Sequence, residues 1–159
     1  MKSEPSERLD PKAKTVWRIS NVLWAVPLLG AGAFASWFAR SVVGAPLLVW
    51  VLPILGAAFL AILSIFVVPS LSWRRWRYEI RPDEVDLQRG IFWITRTLVP
   101  LARIQHVDTQ NGPLQRRFGL STVVFYTAAG ANRIPELSAP IAAEVRDRIA
   151  ELTRDQDEL

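Results

Sequence analysis

The sequence predicts an α+β protein: a two-helix transmembrane hairpin followed by a small antiparallel β-barrel or sandwich, capped by a C-terminal helix. Three observations predict it. Residues 19–39 are a run of 21 uncharged residues between Arg18 and Arg40, and residues 41–73 are a second uncharged run of 33. From Arg77 onward apolar and polar residues alternate in short segments broken by Pro, Gly and Asp, which is the period of strands. Near the end, Ile141, Val145, Ile149 and Leu152 recur at helical spacing as one apolar stripe.

The first run, at about 1.5 Å per residue, reaches roughly the 30 Å of a hydrocarbon core. It is too long for a signal-peptide core, and a second run follows almost at once. The second run exceeds one span, so it holds the turn, a helix near residues 45–68 and an interfacial exit. Pro46 suits a first helical turn, while Pro27 and Pro53 fall inside spans, where neighbouring helices re-satisfy freed backbone groups. Pro69 is expected to end the second span. The organisation that follows is a disordered cytoplasmic tail over 1–15, a helical hairpin over 16–73 with spans at about 18–39 and 45–68, and a cytoplasmic domain over 74–159.

Orientation follows from basic residues retained on the cytoplasmic side. Lys2, Arg8, Lys12, Lys14 and Arg18 precede the first span, and Arg74, Arg75 and Arg77 follow the second; the turn offers only Arg40. Both termini are therefore expected in the cytoplasm. Trp17, Trp37, Trp73 and Trp76 fit interfacial anchors, and Trp24 and Trp50 are expected between the helices. The net charge of +4 does not indicate nucleic acid, because residues 78–159 carry ten basic and twelve acidic groups. The basic excess lies at the membrane. With no cysteine there is no disulfide framework and no thiolate metal site.

The domain reads as follows. Residues 77–81 and 84–89 make a hairpin about Pro82-Asp83, with Tyr78, Ile80, Val85 and Leu87 inward; residues 90–93 reverse the chain and 94–98 begin a third strand. Pro100 breaks it. Residues 104–110 resume extended structure with Ile104, His106 and Asp108 on one face. Pro113 then starts one helical turn, in which Leu114 meets Phe118 and Gly119 closes in the left-handed conformation. Residues 121–127 and 132–137 are strands joined across Gly130. Ser138 opens the final helix, which runs to about Arg154.

The stretch "LVPLARIQHVDTQNGPLQRRFGL", after a strand ending "LQRG", resembles the bacterial pleckstrin-homology-like (PH-like) domain of YdbS-type membrane proteins. The shared features are the helical hairpin ahead of the domain, Gly90, the break at Val99, Pro100 and Leu101, then Arg103, Ile104 and Gln105, and finally residues 112–119. The resemblance implies a seven-strand, helix-capped, barrel-like domain on a membrane anchor, with no catalytic chemistry to carry over.

The candidate sites are few. His106 and Asp108 lie two apart on a strand, about 7 Å between side-chain origins, too far for a dyad and without companion ligands. No catalytic residue, metal ligand or cofactor is expected. Arg74, Arg75 and Arg77 are candidate anionic-lipid contacts, since each basic residue near such a surface contributes about 1 kcal/mol. Arg116 and Arg117 are candidate partner or ligand contacts. The first hairpin turn carries Asp83 and Glu84 where a phosphoinositide-type pocket would need bases. "GIFWI", residues 90–94, either dips into the membrane or packs in the core; a domain this small needs its aromatics, so core is expected.

The function expected is a non-enzymatic, membrane-anchored interaction or scaffolding module. Its partners are the bilayer and either further copies of itself or another membrane protein, and not nucleic acid. The spans carry no ionisable residue, which argues against an ion path, and their Gly and Ala residues permit close helix packing. The alternative is a receptor for anionic lipid or a small ligand. A hydrolase using His106 and Asp108 has no nucleophile motif to support it.

Overall fold

Two helices, Ala13–Ser41 and Leu47–Arg75, are long and apolar enough to cross a membrane. The computed structural model describes residues 4–157 and divides into two units, residues 14–71 and a second that joins the N-terminal segment through Ala13 to residues 72–159.

In the helical unit, α1 (Ala13–Ser41) packs against α2 (Leu47–Ile62) at Gly32, where a Cβ would stand 2.6 Å from that of Ala57 and 3.1 Å from the Pro53 carbonyl. Gly30 and Gly56 have open space beside them. Only part of the small-residue stripe serves the hairpin. Pro69 does not end the second helix. A π turn (Leu63–Val67) precedes α3 (Val68–Arg75), and the widened ladder carries the helix past the proline. In that register the carbonyl left by proline's missing N–H is that of Ser64, and Asn21 Nδ2 of α1 donates to it at 2.6 Å. Trp24 does not pack between the helices: it is 76% exposed. Trp50 lies under the Arg40 guanidinium, 5.1 Å from its ring centre.

Among the described residues, the second unit holds seven strands in two sheets, with no closed barrel. The four-stranded sheet runs in the order β1 (Glu7–Arg8), β2 (Arg77–Ile80), β3 (Glu84–Arg89) and β4 (Thr95–Pro100), all antiparallel. A 3-10 turn (Leu101–Arg103) leads to the three-stranded sheet of β5 (Ile104–Gln110), β6 (Leu120–Thr127) and β7 (Gly130–Ser138). Between β5 and β6 lies the short helix α4 (Pro113–Phe118), and α5 (Ala139–Asp157) packs on β5, β6, β7 and the 3-10 turn.

The first strand corrects the expectation of a disordered tail over residues 1–15. Glu7 and Arg8 pair with Tyr78 and Arg77, Leu9 is buried, and Trp73 Nε1 donates to the carbonyls of Leu9 and Asp10 at 3.1 Å each. Residues 1–3 lie outside the described residues. Trp73 and Trp76 are accordingly not free interfacial anchors, since the first holds the N-terminal segment and the second is buried within this unit.

The core includes Val85, Leu87, Leu101, Val123, Phe125 and Ile134, with Ala142, Val145 and Ile149 from α5. Ile141, expected in the same stripe, is 45% exposed. The buried line on α5 runs through Ala142 one position later.

Candidate functional site

Three polar clusters among the described residues of the domain contain the residues singled out from the sequence or buried beside them. On β3, Val85 and Leu87 point to the core, so Asp86 belongs to the other face. It is nevertheless fully buried. Arg96 of β4 covers it with a forked contact, Nε at 3.0 Å from Oδ1 and Nη2 at 2.5 Å from Oδ2, and Arg81 Nη2 stands 3.4 Å away. Arg81 also binds Glu79 at 2.6 Å and Glu84 at 3.3 Å. The hydrogen bond that Arg81 donates to Glu79 is the main cause that raises its pKa above the ordinary value, and the one that Arg96 donates to Asp86 does the same for Arg96. The one base in the first hairpin turn is therefore committed to carboxylates, in keeping with the acidic turn read from the sequence.

The second cluster explains the motif around residues 112–119. Gln115 accepts from the Gly112 backbone N–H at 3.0 Å, closing the first turn of α4. Its amide nitrogen donates to Thr122 Oγ1 and to Glu136 Oε1, each at 3.0 Å. Glu136 is buried and sits at φ +52, where β7 bulges between its pairings at Ile134 and Leu137. Gly119 closes the helix in the left-handed region at φ 68, as expected. The motif thus fastens α4 to β6 and β7 and leaves Arg116 and Arg117 on its exposed side.

The third cluster is His106 and Asp108. A bulge between Ile104 and His106 turns the strand, so Ile104 is buried while His106 faces solvent; the expected shared face is broken. Their side chains lean together, Nε2 to Oδ2 at 2.9 Å, closer than the spacing of the strand suggests. The His106 ring lies 5.6 Å from that of Tyr126. A pair this exposed contributes little to stability. Among the described residues, no three His, Cys, Asp or Glu side chains converge on a metal-sized site.

Arg74 and Arg75 are exposed at the end of α3, Arg77 is half-buried at the start of β2, and Arg116 and Arg117 stand on α4. "GIFWI" is not core: Phe92 and Trp93 are 88% and 85% exposed. The Asp86 cluster and the role of Gln115 were not anticipated. Arg96, ten residues after Asp86 across a hairpin, was the available signal.

A cleft of about 330 Å³ lies between β2 and α5, with Tyr78, Glu7, Glu144, Ile141 and Arg148 among its walls. Burial, then Glu7 and Glu144, pushes the Tyr78 hydroxyl up to about 12. Between pH 10 and 12 the unfolded chain loses this proton and the folded one keeps it, so stability is full below pH 10 and falls toward pH 12. Tyr78→Phe is expected to remove that part of the alkaline loss, on the order of 2 kcal/mol, in paired denaturation curves at pH 9 and 11.5.

Two apolar helices joined to a pair of antiparallel sheets capped by a C-terminal helix define a membrane-associated PH module. The chain belongs to the bacterial PH domain family, whose profile matches residues 12–153. It is 37% identical over 163 residues to the UPF0699 transmembrane protein YdbS of Bacillus subtilis (strain 168), covering 99% of both chains. It is 32% identical over 98 residues to the UPF0699 transmembrane protein YdbT of the same organism, covering 60% of this chain and 20% of that one. No solved structure matches it.

Proposed function

We propose that the chain is a non-enzymatic interaction module that holds its PH domain at the cytoplasmic face of a bacterial membrane, where the domain binds another membrane protein or further copies of itself. The observation that carries this reading is the pairing of β1 with β2. Because β1 precedes the first apolar helix and β2 follows the second, the domain is attached to the hairpin at both ends. Two attachments suit a surface kept at the membrane better than a domain that leaves it. The same pairing requires the N-terminal segment and the domain to share one side, which supports the orientation argued from the basic flanks.

The polar clusters support the non-enzymatic part of the reading, since Asp86, Arg81, Arg96, Gln115 and Glu136 all join strand to strand or helix to strand. A second reading, contact with anionic lipid, rests on the exposure of Arg74 and Arg75 beside the end of α3.

Reporter fusions at residues 1 and 159 should both read cytoplasm, and a tag at Ser41 should read outside. A C-terminus found outside would remove the orientation and the function argued from it. Purification from mildly solubilised membranes should then yield a stoichiometric protein partner or a stable oligomer. Recovery of a bare monomer that floats only with anionic vesicles would favour the lipid reading instead.

A further inference from the structure

The four-stranded sheet has two different ends. At one, the β2–β3 turn is closed by the Arg81 N–H on the Glu84 carbonyl at 2.9 Å. At the other, β1 runs on toward α1 and β2 takes the chain from α3. Arg8 pairs there with Arg77, Arg77 with Gln88, and Arg89 with Thr95. The β3–β4 turn, residues 90–94, is therefore carried at the end where both connections to the apolar helices leave the sheet.

That turn presents the most exposed aromatics of the domain, Phe92 and Trp93, followed by Ile94 at 51%. They lie in the turn beyond the last strand pair, Arg89 with Thr95. The turn is tightly built. Gly90 has φ +122, and a Cβ there would stand 1.8 Å from the Trp93 carbonyl oxygen, so only glycine lets the backbone close on itself. Its charge suits an anionic surface as well, because Arg89 is exposed beside it and no acidic residue occurs between Asp86 and Asp108. A core role is excluded by exposure. Phe and Trp next to a base are the side chains that partition into the boundary between headgroups and acyl chains.

We propose that Phe92 and Trp93 form a wedge that enters the headgroup boundary of the bilayer holding the chain's own helices. The wedge would add a third attachment, non-covalent and dependent on lipid packing, to the two covalent ones. It rests on the membrane-anchored reading above.

The chain contains no cysteine, so single-cysteine variants report one position each. The full-length protein carrying Phe92→Cys, Trp93→Cys, Asp83→Cys or Trp24→Cys would be labelled with bimane and reconstituted in phosphatidylcholine–phosphatidylglycerol vesicles containing spin-labelled lipid. Labels at 92 and 93 are expected to be quenched at least about twofold more than the label at 83, and best by lipid with its nitroxide near the headgroup. The label at 24 should respond to a deep nitroxide. Quenching at 24 without quenching at 92 and 93 overturns the wedge and leaves the anchored reading standing, whereas no quenching at 24 removes both. Equal quenching at 83 overturns the wedge too, because the domain would then lie on lipid without preference for this end. Excimer emission from pyrene at 93, with no lipid quenching, would assign the tip to a second copy.

Discussion

Ile149→Asp is expected to unfold the cytoplasmic domain while leaving the chain in the membrane. Ile149 is fully buried on the face of α5 that covers β5, β6 and the 3-10 turn. Losing its apolar burial costs roughly 1.5–3 kcal/mol. Placing a carboxylate there without a partner adds several more, by desolvation or by forcing its protonation. Against a typical domain stability of about 5–15 kcal/mol, the sum removes most or all of the margin. Ile141→Asp is the control. Its side chain is 45% exposed on the same helix, so the charge stays hydrated and the change should lie within about 0.5 kcal/mol. Limited proteolysis of membranes carrying each variant distinguishes them: rapid loss of the domain in the first, resistance like that of wild type in the second. A chain ending after Leu137 should behave like the first. If Ile149→Asp stayed resistant, α5 would not be part of the folded domain.

The contrast between these two isoleucines shows what was legible in the sequence. Helical spacing located α5 and gave two of its buried positions, Val145 and Ile149, because periodicity is a property of the segment itself. It could not say where the stripe ends, since that depends on the width of the surface beneath. Ala142 is small enough to lie against the strands, and Ile141 falls at the edge of the cleft beside Tyr78. The strands behaved in the same way. Residues 84–89 and 104–110 were legible to the residue, but the bulges at Ile104/His106 and within β7 were not. A bulge leaves the alternation of types intact while moving side chains to the other face.

The N-terminal strand was invisible for a related reason. A two-residue strand flanked by Pro5 and Pro11 has no period of its own, and its partner lies about seventy residues away. Pro69 misled in the opposite direction, because a local rule predicted a helix end where a π turn and a donor from the other helix absorb the missing N–H. The exposed hairpin tip was misjudged on composition alone. Aromatic residues usually supply the core of a small domain, yet the tight closure of Gly90 on Trp93 projects this pair outward.

Arg96→Met is expected to destabilise the domain far more than Asp86→Leu does, although both break the same contact. Asp86 is fully buried, whereas Arg96 keeps about a third of its side chain in water, at 31% exposure. When the arginine is removed, the carboxylate remains in the interior with only the longer contact to Arg81 at 3.4 Å, and Arg81 already serves Glu79 and Glu84. Stranding a buried carboxylate in this way generally costs about 3–5 kcal/mol. When the aspartate is removed instead, the guanidinium can turn further into solvent and recover hydration. The leucine also places apolar volume where the carboxylate was. The double variant, Asp86→Leu with Arg96→Met, should therefore recover most of the loss seen in Arg96→Met alone, because no buried charge is left without a partner. Denaturant curves of the purified protein in a mild detergent would rank the three. A single arginine variant as stable as the single aspartate variant would mean that Arg81 alone satisfies Asp86, and that the fork from β4 only orients the hairpin.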